Sequence, residues 1–300
     1  MVSSASGLGG IDSSWLNACG IQSSMNRLLS LLRHPQPLRF LIAQIFWRTG
    51  WGRRITFSLR SFRLHLHPAN LAWQLWVDRH QRDADLELIR SLLKPGDTMI
   101  DVGANIGFTA LEGAQAVGRH GVVHAIEPHP FIHRCLEENL GLNQLSSPQV
   151  QSYAVAVAEA PRETGAQFTD DRRDDMNFMV PEGSVQHSAL NDKSITVPVT
   201  TLDALFPDLL HCDLLKIDVE GVELAVLRGA SHLLKNTRQI LIEAGDPNSV
   251  RHGSNAGDLL AHLESAGFEV RSMDQGKGRD SRVQIEDYRE HVGNWLAFRS

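Results

Sequence analysis

The stretch Lys94-Pro-Gly-Asp-Thr-Met-Ile-Asp101-Val-Gly103-Ala-Asn105-Ile-Gly107-Phe108 constrains this chain more than any other. An apolar strand runs into an acid, then into a loop with two glycines four apart, then into a helical pattern from Phe108 to Val117. A second strand, Gly-Val-Val-His-Ala-Ile, follows and ends in Glu127-Pro128. A glycine turn after a first strand lets a ligand lie against bare backbone, and an acid ending the second strand can take both hydroxyls of a ribose. The pair reads as a nucleoside-cofactor site on a doubly wound sheet.

Spacing selects the cofactor. A dinucleotide fingerprint is G-x-G-x-x-G, because a pyrophosphate must approach backbone and helix N-terminus. Here the order is D-x-G-x-x-x-G, with Asn105 between the glycines and no Lys-Ser/Thr of a phosphate loop. Asp101 would repel a phosphate but suits a cation. S-adenosyl-L-methionine (SAM), with its ribose, adenine, ammonium and sulfonium, fits. On this reading Gly103 and Gly107 let the turn pass close to the methionine portion, Asp101 sits near its ammonium, and Glu127 takes the ribose diol. Pro128 follows Glu127 in the same motif, and the chain around Ala156 lines the adenine.

Later segments carry a family resemblance. Asp213-Leu-Leu-Lys216-Ile-Asp218-Val-Glu220-Gly221-Val-Glu223-Leu-Ala-Val-Leu-Arg228-Gly229-Ala resembles the fourth-strand hallmark of the FkbM-type methyltransferases. Thr201-Leu-Asp203 before it and Ile240-Leu-Ile-Glu243 after it are similar to the same family, and the motifs keep their order from about Leu92 to Glu243. The resemblance implies a SAM-dependent methyltransferase, usually acting on a hydroxyl, and leaves the acceptor open among sugar, lipid, natural product and peptide.

Methyl transfer from a sulfonium asks the protein mainly to align the acceptor and, for an alcohol, to remove its proton. Asp218 and Glu220 lie where the fourth strand ends, at the ligand edge of an open α/β sheet, and Glu243 ends the fifth strand at that edge. These three are the catalytic candidates. They could also hold Mg²⁺ through hard oxygens, although the expectation is a site without metal. His65/His67 and His129/His133 each share a face but lack a third ligand.

Composition bounds the rest. At 300 residues, with 42% hydrophobic and 21% charged residues, the chain is long enough for one large α/β domain and an appendage. A formal net charge of −6 gives no overall attraction to nucleic acid, so a small-molecule or glycan acceptor is the expected partner. Cys19, Cys135 and Cys212 are few and far apart, which points to a reducing, cytoplasmic setting with the last two buried as small apolar residues.

Residues 1–24 are rich in Ser and Gly and read as a leader without the basic start and apolar core of a signal peptide. Residues 25–91 read as an appendage of short helices and a strand hairpin. Its apolar run Leu38 to Trp47 is well short of the ~20 residues that span a bilayer, and Ile55 to Leu66 alternates as a hairpin does. Trp47, Trp51, Trp73 and Trp76 lie in or beside this region and are read as packing residues rather than acceptor-pocket residues.

Residues 92–300 read as the SAM-dependent methyltransferase domain. The fold class is α/β, a Rossmann-like, doubly wound, mostly parallel sheet of the class I methyltransferase type. Strands are predicted near 98–102, 122–127, 149–156, 213–218, 238–243, 267–272 and 294–299, the last antiparallel. Helices are predicted near 106–117, 130–143, 222–235 and 256–266. Periodicity fails between Phe168 and Ser194, read as a substrate-side loop.

Three functions remain open at this point: a SAM-dependent O-methyltransferase, a SAM-binding module that has lost catalysis, and a nucleotide-dependent oxidoreductase. The missing third glycine and the acid before the loop disfavour the last.

Overall fold

The computed structural model describes residues 51–145, 149–170, 179–180, 194–244, 254–273 and 293–299, with Arg39, Ile42 and His252. The leader and, apart from Arg39 and Ile42, residues 25–50 of the appendage, with the apolar run Leu38 to Trp47, lie outside them.

After a 3-10 turn at Trp51–Arg54 come β1 (Thr56–Leu59), β2 (Phe62–His65), α1 (Asn70–Val77) and α2 (Asp83–Leu92). Then follow β3 (Thr98–Val102), α3 (Phe108–Val117), β4 (Val122–Ile126), α4 (Pro130–Leu142) and β5 (Val150–Tyr153). A side sheet is built from β6 (Ala156–Val157), β7 (Arg162–Thr169) and β8 (Ser194–Thr200). The chain continues through α5 (Leu202–Leu205), β9 (Cys212–Ile217), α6 (Glu223–Arg228), β10 (Thr237–Ala244), α7 (Ala256–Ser265), β11 (Glu269–Ser272) and β12 (Gly293–Phe298).

The main sheet has seven strands in the order β11-β12-β10-β9-β3-β4-β5. The five strands β10, β9, β3, β4 and β5 run parallel, while β12 is antiparallel to both β10 and β11. Strand order therefore reverses between β3 and β9, which opens a crevice at their carboxyl ends. This is the α/β class expected, with the predicted antiparallel last strand.

Alternation along the strands sends side chains to two faces. Met99, Leu214 and Leu241 join a core with α3, α4, the hairpin and α1–α2, whereas Ile100, Leu215 and Ile240 join a second core with α6 and α7.

The hairpin is part of the first core. Phe57, Leu59, Phe62 and Leu64 are buried on one side, and Phe62 meets Phe108 edge to face with centroids 6.1 Å apart. The outer edge of β2 is satisfied by side chains of α4 and its C-cap: Arg63 N–H donates to Asn143 Oδ1 (2.8 Å) and His65 N–H to Asn139 Oδ1 (2.9 Å). These amides cover an edge that would otherwise expose unpaired donors. Trp76 packs edge-on against Phe57 beside the same core.

Three expectations differ in detail. The strand expected over 149–156 is two, because the chain leaves the main sheet after Tyr153 and Ala156 pairs with Val199 in the side sheet. The helix expected over 222–235 breaks at Gly229, where a Cβ would collide with the Ala158 carbonyl. A 3-10 turn at Leu233–Asn236 resumes, held by Asp203, whose two oxygens accept from His232 N–H (2.9 Å) and Leu233 N–H (2.8 Å). The Thr201-Leu-Asp203 motif is thus a clamp between elements. Helix α3 starts at Phe108 rather than 106, since Gly107 sits at φ +92°.

Asn139, fully buried, also donates Nδ2–H to the Ile106 carbonyl at 2.8 Å, so it ties the hairpin to the glycine turn. Asn139→Ala strands His65 N–H and the Ile106 carbonyl, each worth about 1–3 kcal/mol when left unsatisfied. Urea unfolding should show a loss of that order; a change below ~0.5 kcal/mol would mean that water replaces the amide.

Candidate active site

At the crevice, β3 and β9 place Asp101 opposite Lys216 in register, and Lys216 lies opposite Leu241 on β10. By alternation Asp101, Lys216, Asp218 and Glu243 share the face that carries Met99, Leu214 and Leu241. The Lys216 ammonium stands 3.3 Å from Asp101 Oδ1 and 3.1 Å from Asp218 Oδ2. Thr109 at the start of α3 donates its hydroxyl to Asp101 Oδ2 at 2.6 Å. Burial works against the Lys216 charge, but Asp101 and Asp218 outweigh it and hold its pKa above the ordinary value.

The glycine turn folds back on itself. Gly103 and Ala104 both donate N–H to the Ile126 carbonyl (3.0 Å each), Gly107 donates to Ala104 (2.9 Å), and Asn105 Oδ1 accepts from Ile106 N–H (2.7 Å). Gly103 sits at φ +81°, and a Cβ there would collide with the Asp218 carbonyl. The close approach that Gly103 permits is therefore to the neighbouring strand end. Asn105 is left-handed at φ 50°, a conformation that asparagine tolerates, and this aims its N–H at Glu127 Oε2 (3.0 Å). The other carboxylate oxygen accepts from His129 N–H (2.8 Å). Burial raises the Glu127 pKa to about 7 despite these two bonds.

These elements enclose a cavity of about 370 Å³, within the range of small-ligand sites. Gly103, Asn105, Glu127, Pro128, Ala156, Asp218, Glu220 and Glu243 all line it. Asp101 and Gly107 do not. Asp101 is fully buried behind the wall and bound to Lys216 and Thr109, and Gly107 turns the chain into α3 with the space above it filled by Leu136.

The structure adds Arg82 and Asp85 from the start of α2, His129, and Asn294, which lies opposite Glu243 in the β10–β12 ladder. Arg82 and Asp85 belong to no motif, so only their place in the fold reveals them. Asn294 could have been found from the predicted pairing of the last strand. Of the loop expected over 168–194, Phe168 and Met179 line the cavity; residues 171–178 and 181–193 lie outside the described residues.

Asp218 and Glu243 follow paired residues Ile217 and Ile242 and hydrogen-bond through their side chains. The Asp218 charge and burial push the Glu243 pKa up to about 7. Burial alone would raise Asp218, but Lys216 and the bond from Glu243 outweigh it and lower its pKa. The pair thus holds one proton in acid and releases it near neutrality. Among the described residues no group of three or more His, Cys, Asp and Glu is arranged to hold a metal. Of the three acids considered for Mg²⁺, Asp218 is ion-paired to the Lys216 ammonium at 3.1 Å.

Residues 101–270 match the family description "Methyltransferase FkbM domain". This chain belongs to the FkbM methyltransferase family. SAM is its cofactor, and the cavity fits it: a buried acid closes the second strand, a bare turn closes the first, and Val155, Val157 and Ile126 offer apolar wall. Membership removes the hydride-transfer alternative.

The chain is similar to the AMB antimetabolite synthetase AmbE of Pseudomonas aeruginosa, at 29% identity over 60% of this chain and 10% of that protein. It is similar also to the methyltransferase sdnD of Sordaria araneosa, at 27% identity over 57% of this chain and 73% of the relative. A crystal structure of methyltransferase FkbM from Methylobacillus flagellatus aligns at 15% identity over 76% of this chain and 54% of that one, with a TM-score of 0.43. The chain thus spans a tenth of the synthetase and about half of the crystallised protein.

Buried Glu127 and Glu223 and half-buried Glu243 have pKa values raised from 4.5 to about 7. A raised folded pKa means that the folded state keeps protons which the unfolded chain releases, so this stability is full below pH 4.5 and is lost as pH climbs through 7. Asp218, lowered from 3.8, acts oppositely but only below that window, and His124, His133 and His262, held below 6.5 by burial, act oppositely up to about pH 6.5. Above that, from pH 6.5 to pH 8, the melting temperature of the ligand-free protein should fall, and less steeply in Glu243→Gln. A melting temperature that rises across this window would contradict the assignment.

Proposed function

We propose that the protein methylates a hydroxyl on a small acceptor, a sugar, lipid or natural product, with SAM as donor. The observation that carries this reading is the Asp218–Glu243 pair at the ligand edge of the sheet, where the Asp218 charge and burial push the Glu243 pKa up to about 7. An alcohol is a poor nucleophile until it loses its proton, and a base whose pKa lies near working pH is best matched to take it. The name of the synthetase AmbE, an antimetabolite enzyme, favours a small natural-product-like acceptor over a macromolecule.

The cofactor, when bound, supplies a methyl group on a cationic sulfur, so its leaving group needs no protonation. The chain's own residues do the remainder. Glu127 keeps lone pairs beyond the two backbone bonds and takes the ribose diol, with Pro128 and Ala156 beside the base. Gly103 and Asn105 shape the turn at the methionine end, while Asp101 and Gly107 hold that turn from behind. Glu243 accepts the acceptor's hydroxyl proton. Asp218, fixed by Lys216, sets the Glu243 pKa, and Glu220 orients the acceptor at the cavity wall.

Incubation with SAM and a panel of glycans and hydroxylated metabolites should give S-adenosylhomocysteine together with a product heavier by one methylene. S-adenosylhomocysteine binding without transfer across such a panel would instead favour a binding module.

Two substitutions separate the roles. Glu127→Ala should weaken S-adenosylhomocysteine binding by roughly 1.5–3 kcal/mol, the range for charge-assisted hydrogen bonds, as read by calorimetry. Unchanged affinity would take Glu127 out of the ribose site.

Glu243→Gln should keep cofactor affinity and lower kcat by about 10²–10⁴-fold. In the wild type, kcat/KM should rise with pH through about 7, the pH at which Glu243 gives up its proton. That ascending limb should vanish in the mutant. A mutant that keeps both rate and limb would move the base elsewhere.

A further inference from the structure

Two cations line the cavity among its described residues, and they stand in different circumstances. Lys216 lies between Asp101 and Asp218 and has no charge to spare. Arg82, at the start of α2, donates Nε–H to Asp85 Oδ2 at 2.7 Å. Among the described residues its two terminal nitrogens, Nη1 and Nη2, meet no further partner. Asp85 therefore fixes the plane of the guanidinium and leaves its fork open. Arginine presents such a fork to planar, two-oxygen anions, and a fork already held through Nε loses less entropy on binding.

Position tells which part of the ligand set the fork faces. The residues expected to take ribose and adenine, Glu127, Pro128 and Ala156, come from the ends of β4 and β5 and from the side sheet. Arg82 comes from the opposite part of the chain, and its charge interacts with Asp218 and Glu243, the acids at the reacting edge. Burial works against the Arg82 charge, but Asp85, Asp218 and Glu243 outweigh it and keep it firmly protonated. The same N-terminal helices add Leu71, Leu88 and Ile89 to the wall. This flank thus combines an apolar surface with one oriented, open guanidinium.

Resting on the methyltransferase reading above, we propose that the acceptor is a hydroxylated acid, with an apolar body and a carboxylate or phosphate that Arg82 grips. The anion anchors the acceptor at α2 while its hydroxyl lies at Glu243. The remaining acids of the cavity repel a free anion, so recognition requires the charge to arrive at the Arg82 fork, which is open among the described residues.

The test uses binding, which does not depend on turnover. S-adenosylhomocysteine-loaded protein is titrated by calorimetry with 4-hydroxybenzoate, 4-hydroxyphenyl phosphate and methyl 4-hydroxybenzoate. At least one of the anions should bind ten times more tightly than the neutral ester in the wild type, and Arg82→Gln should erase that preference. Arg82→Lys should restore it only in part, because an ammonium is a point charge.

Binding of both anions no tighter than the ester by the wild type, or a preference that survives Arg82→Gln, overturns the proposal. So does a mutant that loses S-adenosylhomocysteine but keeps 5′-methylthioadenosine, which lacks the amino-acid tail; Arg82 would then hold the cofactor's carboxylate. Anion binding through Arg82 without methyl transfer to any hydroxyl would leave this inference standing and overturn the proposed reaction instead.

Discussion

A single buried ammonium organises the site. Lys216 sits in the middle of the sheet at the point where strand order reverses, bridging Asp101 on β3 and Asp218 just beyond β9. Burying one charge costs several kcal/mol, and removing one member of a buried pair leaves the other uncompensated. The three groups therefore have to come together, and in doing so they fix how β3 and β9 align at their ligand ends. Thr109 extends the arrangement into α3. The glycine turn closes over it because Gly103 lets the Asp218 carbonyl approach without a side chain in the way.

From this follows a division of labour among the acids. Asp101 lies beneath the wall and balances Lys216. Asp218 faces the same ammonium from the cavity side and stays charged, and its charge makes the neighbouring Glu243 hard to ionise. Similar carboxyls thus take different protonation states because one ammonium is shared unequally between them. Glu127 reaches a similar pKa by another route, through burial opposed by two backbone N–H donors. The two raised acids thus differ in cause: a neighbouring charge and burial for Glu243, burial above all for Glu127.

Much of this was legible in the sequence, for identifiable reasons. Strands buried on both faces read as near-continuous apolar runs, and the glycine turn and Glu127-Pro128 are local signals whose meaning depends on a few adjacent residues. The order of β3, β4, β9 and β10 and the antiparallel β12 follow from the motif sequence. What escaped depends on contacts between distant segments. The side sheet pairs Ala156 with Val199, and no local periodicity announces it. Asp101 precedes the turn in the sequence, and only the fold shows that its carboxylate is bound to Lys216 and Thr109 behind the cavity wall. Nothing near Arg82 marks it; it reaches the cavity only because the hairpin and α2 dock on the same core as α3.

That docking links the N-terminal segment to the chemistry. The hairpin is held by Asn139 and Asn143 of α4, Asn139 also grips the glycine turn through Ile106, and α2 packs on α3 beside them. Buried Glu112 on α3 adds an ion pair with Arg90 of α2 (2.6 Å). The wall that carries Arg82 and the glycine turn are therefore parts of one packed unit. A shift of α2 relative to α3 would move the guanidinium and the turn against each other, so the hairpin, tied to the turn through Asn139 and to α2 through the first core, belongs to the frame that holds the shape of the cavity.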